Sequence, residues 1–389
     1  MTLDPRATII PPPSMVADPL FDIHSNDWLL NKHNHYKHLR SLPIAHYSER
    51  YGFYVFTRYA DVSFILSNPN IFSSAQGNLP VEGSNIRFGR SLGASDNPNH
   101  TRLKGYVNRA YGPAATVRVA RIFEDALERL LKNAGAVIDI NDIIEEASSI
   151  AVAEIVNFPT GTEAFKKLIR DKHREAAEPS EQFIKTSTAL IKEISARKPA
   201  PGPGVYADCL ENDAEVAETL SLILSAVIAG ATSLISAIQQ LTIDIAPHTK
   251  ELVGNKDLIE RAIEESIRYH SSTGRFARTV TEPIMLHGVD LKAGDRVLAC
   301  IESANRDEER FPDADIFDLK RNNKGHLGWG RSIHTCIALM TSQKLLEIYV
   351  NQLLAAVPAY RVATTAYEYH ITPERNIDRL KSLEIERCE

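Results

Sequence analysis

The chain is poor in cysteine, has no excess of basic charge and contains no phosphate-cradling glycine loop. Each shortage excludes something. Four cysteines, Cys209, Cys300, Cys336 and Cys388, stand far apart in 389 residues. They form no Cys-x-x-Cys pair, so neither a zinc site nor a disulfide-stapled scaffold is expected. Lys plus Arg number 44 against 50 Asp plus Glu, a formal charge of −6. A nucleic-acid binder would normally show a basic excess or stripe, so no nucleic-acid partner is expected. Neither G-x-G-x-x-G nor G-x-x-x-x-G-K-[ST] occurs, which leaves nucleotide binding without local support. No internal repeat is visible. Residues 1–18 carry the run Pro11-Pro12-Pro13 and no apolar segment. They read as neither a signal peptide nor a membrane anchor, and residues 1–20 are expected to form an extended arm.

What is present describes an ordinary globular protein. Hydrophobic residues make up 43% and charged residues 24%, enough for a large core and close to the average soluble composition. The charge balance suits a cytoplasmic protein. Residues 220–243 carry no charge and are long enough to span a bilayer. They also contain Ser221, Ser225, Thr232, Ser233, Ser236, Gln239 and Gln240, and lack flanking basic residues and aromatic belts. They read as a long helix through the middle of a soluble protein.

Helical periodicity dominates. Val117, Val119, Ile122, Phe123, Leu127, Leu130 and Leu131 recur at 3–4 spacing and predict a helix over 117–132. A second is predicted over 182–197, ended by the Pro- and Gly-rich loop 198–204. The uncharged helix should begin at Asp213 and stop near Pro247. Further helices are predicted over 256–269, capped by Asn255, and over 337–354. Strand signals are fewer: 53–56, 277–280, and 283–298 with turns at Gly288 and Gly294. The expected fold is mainly α with a small β portion, a single domain over 1–389.

The informative segment runs from His326 through Gly328, Trp329, Gly330, Ser332 and His334 to Cys336. Its glycines let the backbone bend and approach a flat partner closely. Cys336 should sit at the mouth of the helix predicted from Ile337. There the helix dipole and free N–H groups favour a thiolate, a soft ligand suited to iron.

The pattern Trp329-Gly-x-Ser-x-His334-x-Cys336-x-Ala338 resembles the haem-binding loop of the cytochromes P450, written FGxGxHxCxG. Trp329, Ser332 and Ala338 depart from it; Gly330, His334 and Cys336 are kept. Glu265-Ser-Ile-Arg268 matches the family's ExxR, and residues three apart share a helix face. The segment from Ala304 to Arg321 resembles the meander before the haem loop, with Arg321 as the residue that joins the ExxR pair. His100 and Lys104, four apart and so on one face, match the start of the family's C helix, with Lys104 where Arg is usual. Arg278 matches the arginine beside the haem edge. The resemblance covers residues 53–387, nearly the whole chain.

The resemblance implies a soluble bacterial-type cytochrome P450 with a long central helix over haem b (iron protoporphyrin IX). Cys336 would ligate the iron. His100, Lys104, Arg278, Gly330 and His334 would bind the cofactor. In the family's oxygen-activating stretch, A-G-x-[DE]-T, this chain reads Ala229-Gly230-Ala231-Thr232-Ser233. Gly230, Thr232 and Ser233 would be the catalytic positions. Thr232 stands where the acid is expected, and an alcohol does not supply protons as a carboxylate does. Arg87 and Arg90, in a substrate-covering loop, and Gly274 and Arg275, in a pocket-lining segment, would meet substrate.

The activity implied is hydroxylation or O-dealkylation of a small organic substrate with O2. No flavin or iron–sulfur motif occurs, so electrons would come from a ferredoxin and its reductase. No membrane partner is implied. Two alternatives stay open: a peroxide-driven or oxidative-coupling P450, prompted by Thr232, and a haem-thiolate binding protein without turnover.

Overall fold

The structure, a computed structural model, describes residues 13–82, 85–159, 191–192, 194–370 and 377–388. The helix expected over 182–197 falls mostly outside these residues. Of the expected N-terminal arm, residues 13–20 are described, and they form neither helix nor strand. The described residues are mainly helical, with small sheets.

Apolar stripes fix the helical layer. The helix Pro113–Lys132 begins with proline, whose fixed φ suits the first turn. It buries Val119, Phe123, Leu127 and Leu131 along one face. That face packs on helices Ile140–Val156 and Leu339–Ala356. The latter contributes Leu345, Leu346, Tyr349, Val350 and Leu353 to the same core.

The long uncharged segment lies inside this core. It runs as an α-helix over Val216–Ser225, a π-helical stretch over Ala226–Thr232 and an α-helix over Ser233–Ile245. By length and composition it could cross a membrane. Its apolar side chains are nevertheless committed to the protein: Leu222, Ile223, Leu234, Ile235, Ile238, Leu241 and Ile245 are all buried. It starts at Val216 rather than Asp213, because Asp213 adopts a left-handed φ of 51° that an α-helix does not accommodate. Glu218 instead closes the first turn by accepting the Glu215 N–H at 3.3 Å.

The helix Lys256–His270 is capped as its sequence predicts, with the Asn255 side chain accepting the Leu258 N–H. The strands expected at 53–56 and 277–280 and the end of the one expected over 283–298 enter a five-stranded sheet ordered His46–Ser48, Phe53–Phe56, Arg296–Cys300, Arg275–Val280, Phe72–Ser73, whose two edge strands the sequence did not signal. Only the pairing of Phe53–Phe56 with Arg296–Cys300 is parallel. Gly288, at φ 73°, turns the hairpin Ile284–Leu286/Val289–Leu291. A third sheet pairs Glu384–Arg387 with both Val137–Asp139 and Tyr360–Val362.

A buried ionic cluster joins distant parts of the chain. Lys32 pairs with Glu302 at 2.6 Å and Asp378 at 2.7 Å. Arg275 pairs with the same two carboxylates, both at 2.6 Å. Tyr36 donates to Glu302 at 2.7 Å and accepts from Arg275 Nε at 3.0 Å. Two cations therefore face two anions with their hydrogen bonds made, the condition under which buried charge is tolerated.

Candidate active site

The frame of the site is the Glu265–Arg268 pair on one face of Lys256–His270. The two side chains meet through two hydrogen bonds, Nε to Oε2 at 2.9 Å and Nη2 to Oε1 at 2.8 Å. Arg321 joins Glu265 at 3.0 Å. Arg268 also donates to the carbonyls of Asn305 at 2.7 Å and Ala314 at 3.0 Å. This fixes the irregular segment that leads into the cysteine loop.

Within that loop Gly330 has φ 73°, and a Cβ there would lie 2.8 Å from the His334 carbonyl. The Cys336 N–H donates to the Trp329 carbonyl at 2.8 Å, closing the loop on itself. The following helix begins at Leu339, with Ala338 as N-cap, not at Ile337. Cys336 thus stands just outside the helix. The expectation of a thiolate favoured by the helix terminus is not met by the protein alone. Burial raises the Cys336 thiol above its ordinary value, and the Ala338 N–H offsets this only in part. A bound cation would be needed to reverse the balance.

Cys336 lines a cleft with His100, Lys104, Arg278, Gly330 and His334, around about 560 Å³ of empty space open to solvent. Phe276 and Leu92 supply apolar wall. His100 and His334 meet edge to face at 4.8 Å. His334 Nε2 lies 3.1 Å from Ser74 Oγ, and the Ser74 N–H donates to Asp96 at 2.9 Å. Asp96 also holds His100, whose N–H donates to the Asp96 carbonyl at 2.7 Å.

The cleft is electrostatically unfinished. Arg278 is 3% exposed, yet its Nη1 donates only to the neighbouring Ala277 carbonyl, and no described carboxylate pairs with it. Burial pushes its pKa down to about 10. Burial, then Arg278, His100 and Lys104, push His334 down to about 3. Burial and Lys104 also lower His100. Two cations, Arg278 and Lys104, and two neutral imidazoles around one soft sulfur fit a flat metal complex bearing carboxylates. Haem b, with its iron and two propionates, has that chemistry.

The opposite expectation, for substrate contacts, is corrected in part. Arg275 is fully buried and paired with Glu302 and Asp378, which hold its pKa well above the usual value against burial. It has no free donor face for a ligand. Gly274 is packed on the same cluster, where a Cβ would meet the Glu302 carboxylate at 2.7 Å. Arg87 is partly buried, donates to Asn78 at 3.1 Å and lies 3.5 Å from Glu82. Arg90 is half-buried in the same segment.

Gly230 and Thr232 lie in the π-helical stretch and Ser233 opens the α-helix after it, none of them in the wall of the cysteine cleft. A π-helical turn opens the backbone ladder and recurs at functional sites. A Cβ on Gly230 would touch Val152 at 3.5 Å. Ser233 Oγ lies 3.0 Å from Thr273 Oγ1. Thr273 was not legible as a partner in the sequence, since 40 residues separate the two and no motif links them. Glu264 was missed as well. It gathers three donors, and its only signal was its place beside Glu265.

The fold and cleft define a mainly helical protein whose cysteine loop and basic groups fit a haem. The cytochrome P450 family model matches residues 235–330. Cytochrome P450 109 of Bacillus spizizenii is 28% identical over 363 residues, 87% of each chain. Cytochrome P450 107B1 of Saccharopolyspora erythraea is 26% identical, covering 86% of this chain and 90% of its own. Among solved structures, the cytochrome P450 PksS of the Bacillus subtilis bacillaene polyketide synthase superposes with a TM-score of 0.82 at 22% identity. It covers 95% of this chain and 100% of its own. CYP109Q5 from Chondromyces apiculatus gives 0.81 at 22% identity, covering 94% and 97%. The chain belongs to the cytochrome P450 family. It is a bacterial-type P450 monooxygenase, an oxidoreductase that binds haem b.

Proposed function

We propose that this single-domain protein, residues 1–389, hydroxylates or O-dealkylates a small organic substrate in the cytoplasm, with electrons from a ferredoxin and its reductase. The observation that carries this reading is the meeting of Cys336 with His100, Lys104, Arg278 and His334 in one cleft. Cys336 Sγ would hold the iron. Arg278 and Lys104 would offset the propionate charge, His100 and His334 would hydrogen-bond the propionates, and Gly330 would let the loop approach the ring. When bound, haem supplies oxygen activation, with the thiolate pushing electron density toward O–O cleavage.

Ser233 Oγ would pass protons into the site, with Thr273 Oγ1 holding its orientation at 3.0 Å. Arg87 and Arg90 remain the proposed substrate-facing residues. The deciding experiment is the spectrum of the reduced, carbon-monoxide-bound protein. We expect the strongly red-shifted Soret band of a thiolate ligand, lost in Cys336→Ala and kept in Cys209→Ala and Cys300→Ala. Retention in the first with loss in either of the others would overturn the reading.

Thr232 at the acid position favours a second reading, peroxide-driven or oxidative-coupling chemistry. Turnover with hydrogen peroxide and no redox proteins, exceeding turnover with NADH and surrogate partners, would select it.

A further inference from the structure

Glu264 lies next to the ExxR glutamate but points to a different task. Its carboxylate accepts from His326 Nε2 at 2.9 Å, from Gln343 Nε2 at 2.7 Å and from Trp329 Nε1 at 3.2 Å to each oxygen. These donors come from the start of the cysteine loop, from its middle and from the helix Leu339–Ala356 that follows it. One carboxylate on Lys256–His270 thus ties together the entry, the body and the exit of the loop. Burial alone would raise the Glu264 carboxyl. The donors from His326, Gln343 and Trp329 outweigh it and hold the group below the usual range.

The link to Cys336 runs through one residue. The Trp329 ring is fixed by Glu264, and the Trp329 carbonyl accepts the Cys336 N–H at 2.8 Å. Gly328 cannot yield: a Cβ there would lie 2.6 Å from Ile267 on the same helix. With the loop pressed on the helix at Gly328 and tethered at Glu264, the Trp329 carbonyl has one position, and Cys336 is held by it. A phenylalanine at 329 would fill only part of this space and could not donate.

We infer that Glu264 is a positioning residue for Cys336, acting through the indole N–H of Trp329 to hold the sulfur in its ligating pose. This rests on the proposal that Cys336 binds the haem iron. A hydrogen bond to a buried carboxylate is among the stronger ones, so its loss should be measurable in the ligand's behaviour and not only in folding.

The test uses the haem-loaded protein. In W329F the Glu264 charge and the His326 and Gln343 donors remain, while the indole donor goes together with part of the ring's volume, which the Glu264 variants leave in place. We expect its reduced, carbon-monoxide-bound thiolate band to convert to the thiol-ligated form about tenfold faster than in the parent. We also expect a shift of its midpoint potential, because the Trp329 carbonyl no longer fixes where the Cys336 sulfur stands relative to the Ala338 N–H. E264Q and E264A should show the same faster conversion, E264A the larger. Should E264A fail to fold, W329F and E264Q carry the test. Unchanged conversion and unchanged potential in W329F would overturn the inference, as would E264Q behaving as the parent. A Cys336→Ala protein that kept the thiolate band would instead remove the reading beneath it.

Discussion

At the scale of single residues, the departures from the family loop have physical costs that can be measured. Ser332 stands where the family carries glycine, and it adopts φ 59°. An L-residue in that region is strained by about 1–2 kcal/mol. Ser332→Gly should therefore stabilise the protein by up to about 1 kcal/mol, after the extra freedom of glycine in the unfolded chain is subtracted. Thermal unfolding of the two haem-loaded proteins measures it, and a lower midpoint for the glycine variant would contradict it. Arg278 is the complementary case, a buried cation with no carboxylate partner among the described residues. Arg278→Leu should release haem more readily than Arg197→Leu, because Arg197 is a surface residue that pairs with the exposed Asp213 and the Leu210 carbonyl. Equal haem occupancy in the two variants would count against its role at the propionates.

At the scale of elements, the π-helical stretch Ala226–Thr232 and the Ser233–Thr273 contact make one prediction. Ser233→Ala should lower product formed per NADH consumed and raise peroxide release. Thr273→Val should do so less. General acid–base help is commonly worth about 10²–10⁴-fold, so an unchanged yield in Ser233→Ala would remove Ser233 from proton delivery. Thr232→Asp should speed oxygen consumption if its carboxyl stays ionised.

Much at this scale was legible in advance. The Asn255 cap and the period of Val119, Phe123 and Leu127 are local signals, and local signals survive in a sequence, although the helix starts at Pro113 and not at Val117. Helix starts were less legible. Asp213 looked like a cap but sits in a left-handed turn, and Ile337 looked helical until the Trp329 carbonyl captured the Cys336 N–H. Both outcomes depend on contacts that sequence spacing does not encode. Arg275 failed for the same reason: nothing near it in sequence announces Lys32, Glu302 or Asp378.

At the scale of the whole molecule, acid sensitivity follows from a histidine that the fold keeps neutral. His33 Nδ1 is buried without a hydrogen-bond partner. Burial, then the cations of Arg306 and Lys32, His270 and Arg40, hold its pKa well below the ordinary value. A depressed histidine supports the fold above its unfolded pKa, about 6.5, and that support is lost progressively as pH falls below it. Unfolding free energies at pH 7.5 and 5.5 should therefore differ less in His33→Phe than in the parent. An identical difference would assign the acid limb to other groups.

The buried cluster of Lys32, Arg275, Glu302 and Asp378 has a consequence for how the protein is made. Lys32 is synthesised early and Asp378 late, and Val137–Asp139 must wait for Glu384–Arg387 to complete its sheet. Until residue 378 has left the ribosome, two buried cations face a single carboxylate. Removing one partner of such a buried pair costs about 3–5 kcal/mol, a large part of a typical domain's stability. The growing chain can form its helices in order, but the first helix cannot settle against the sheet before the last segment arrives. Closure of the cluster is therefore gated by translation of Asp378, and a stop codon introduced just before it should yield a chain that chaperones retain.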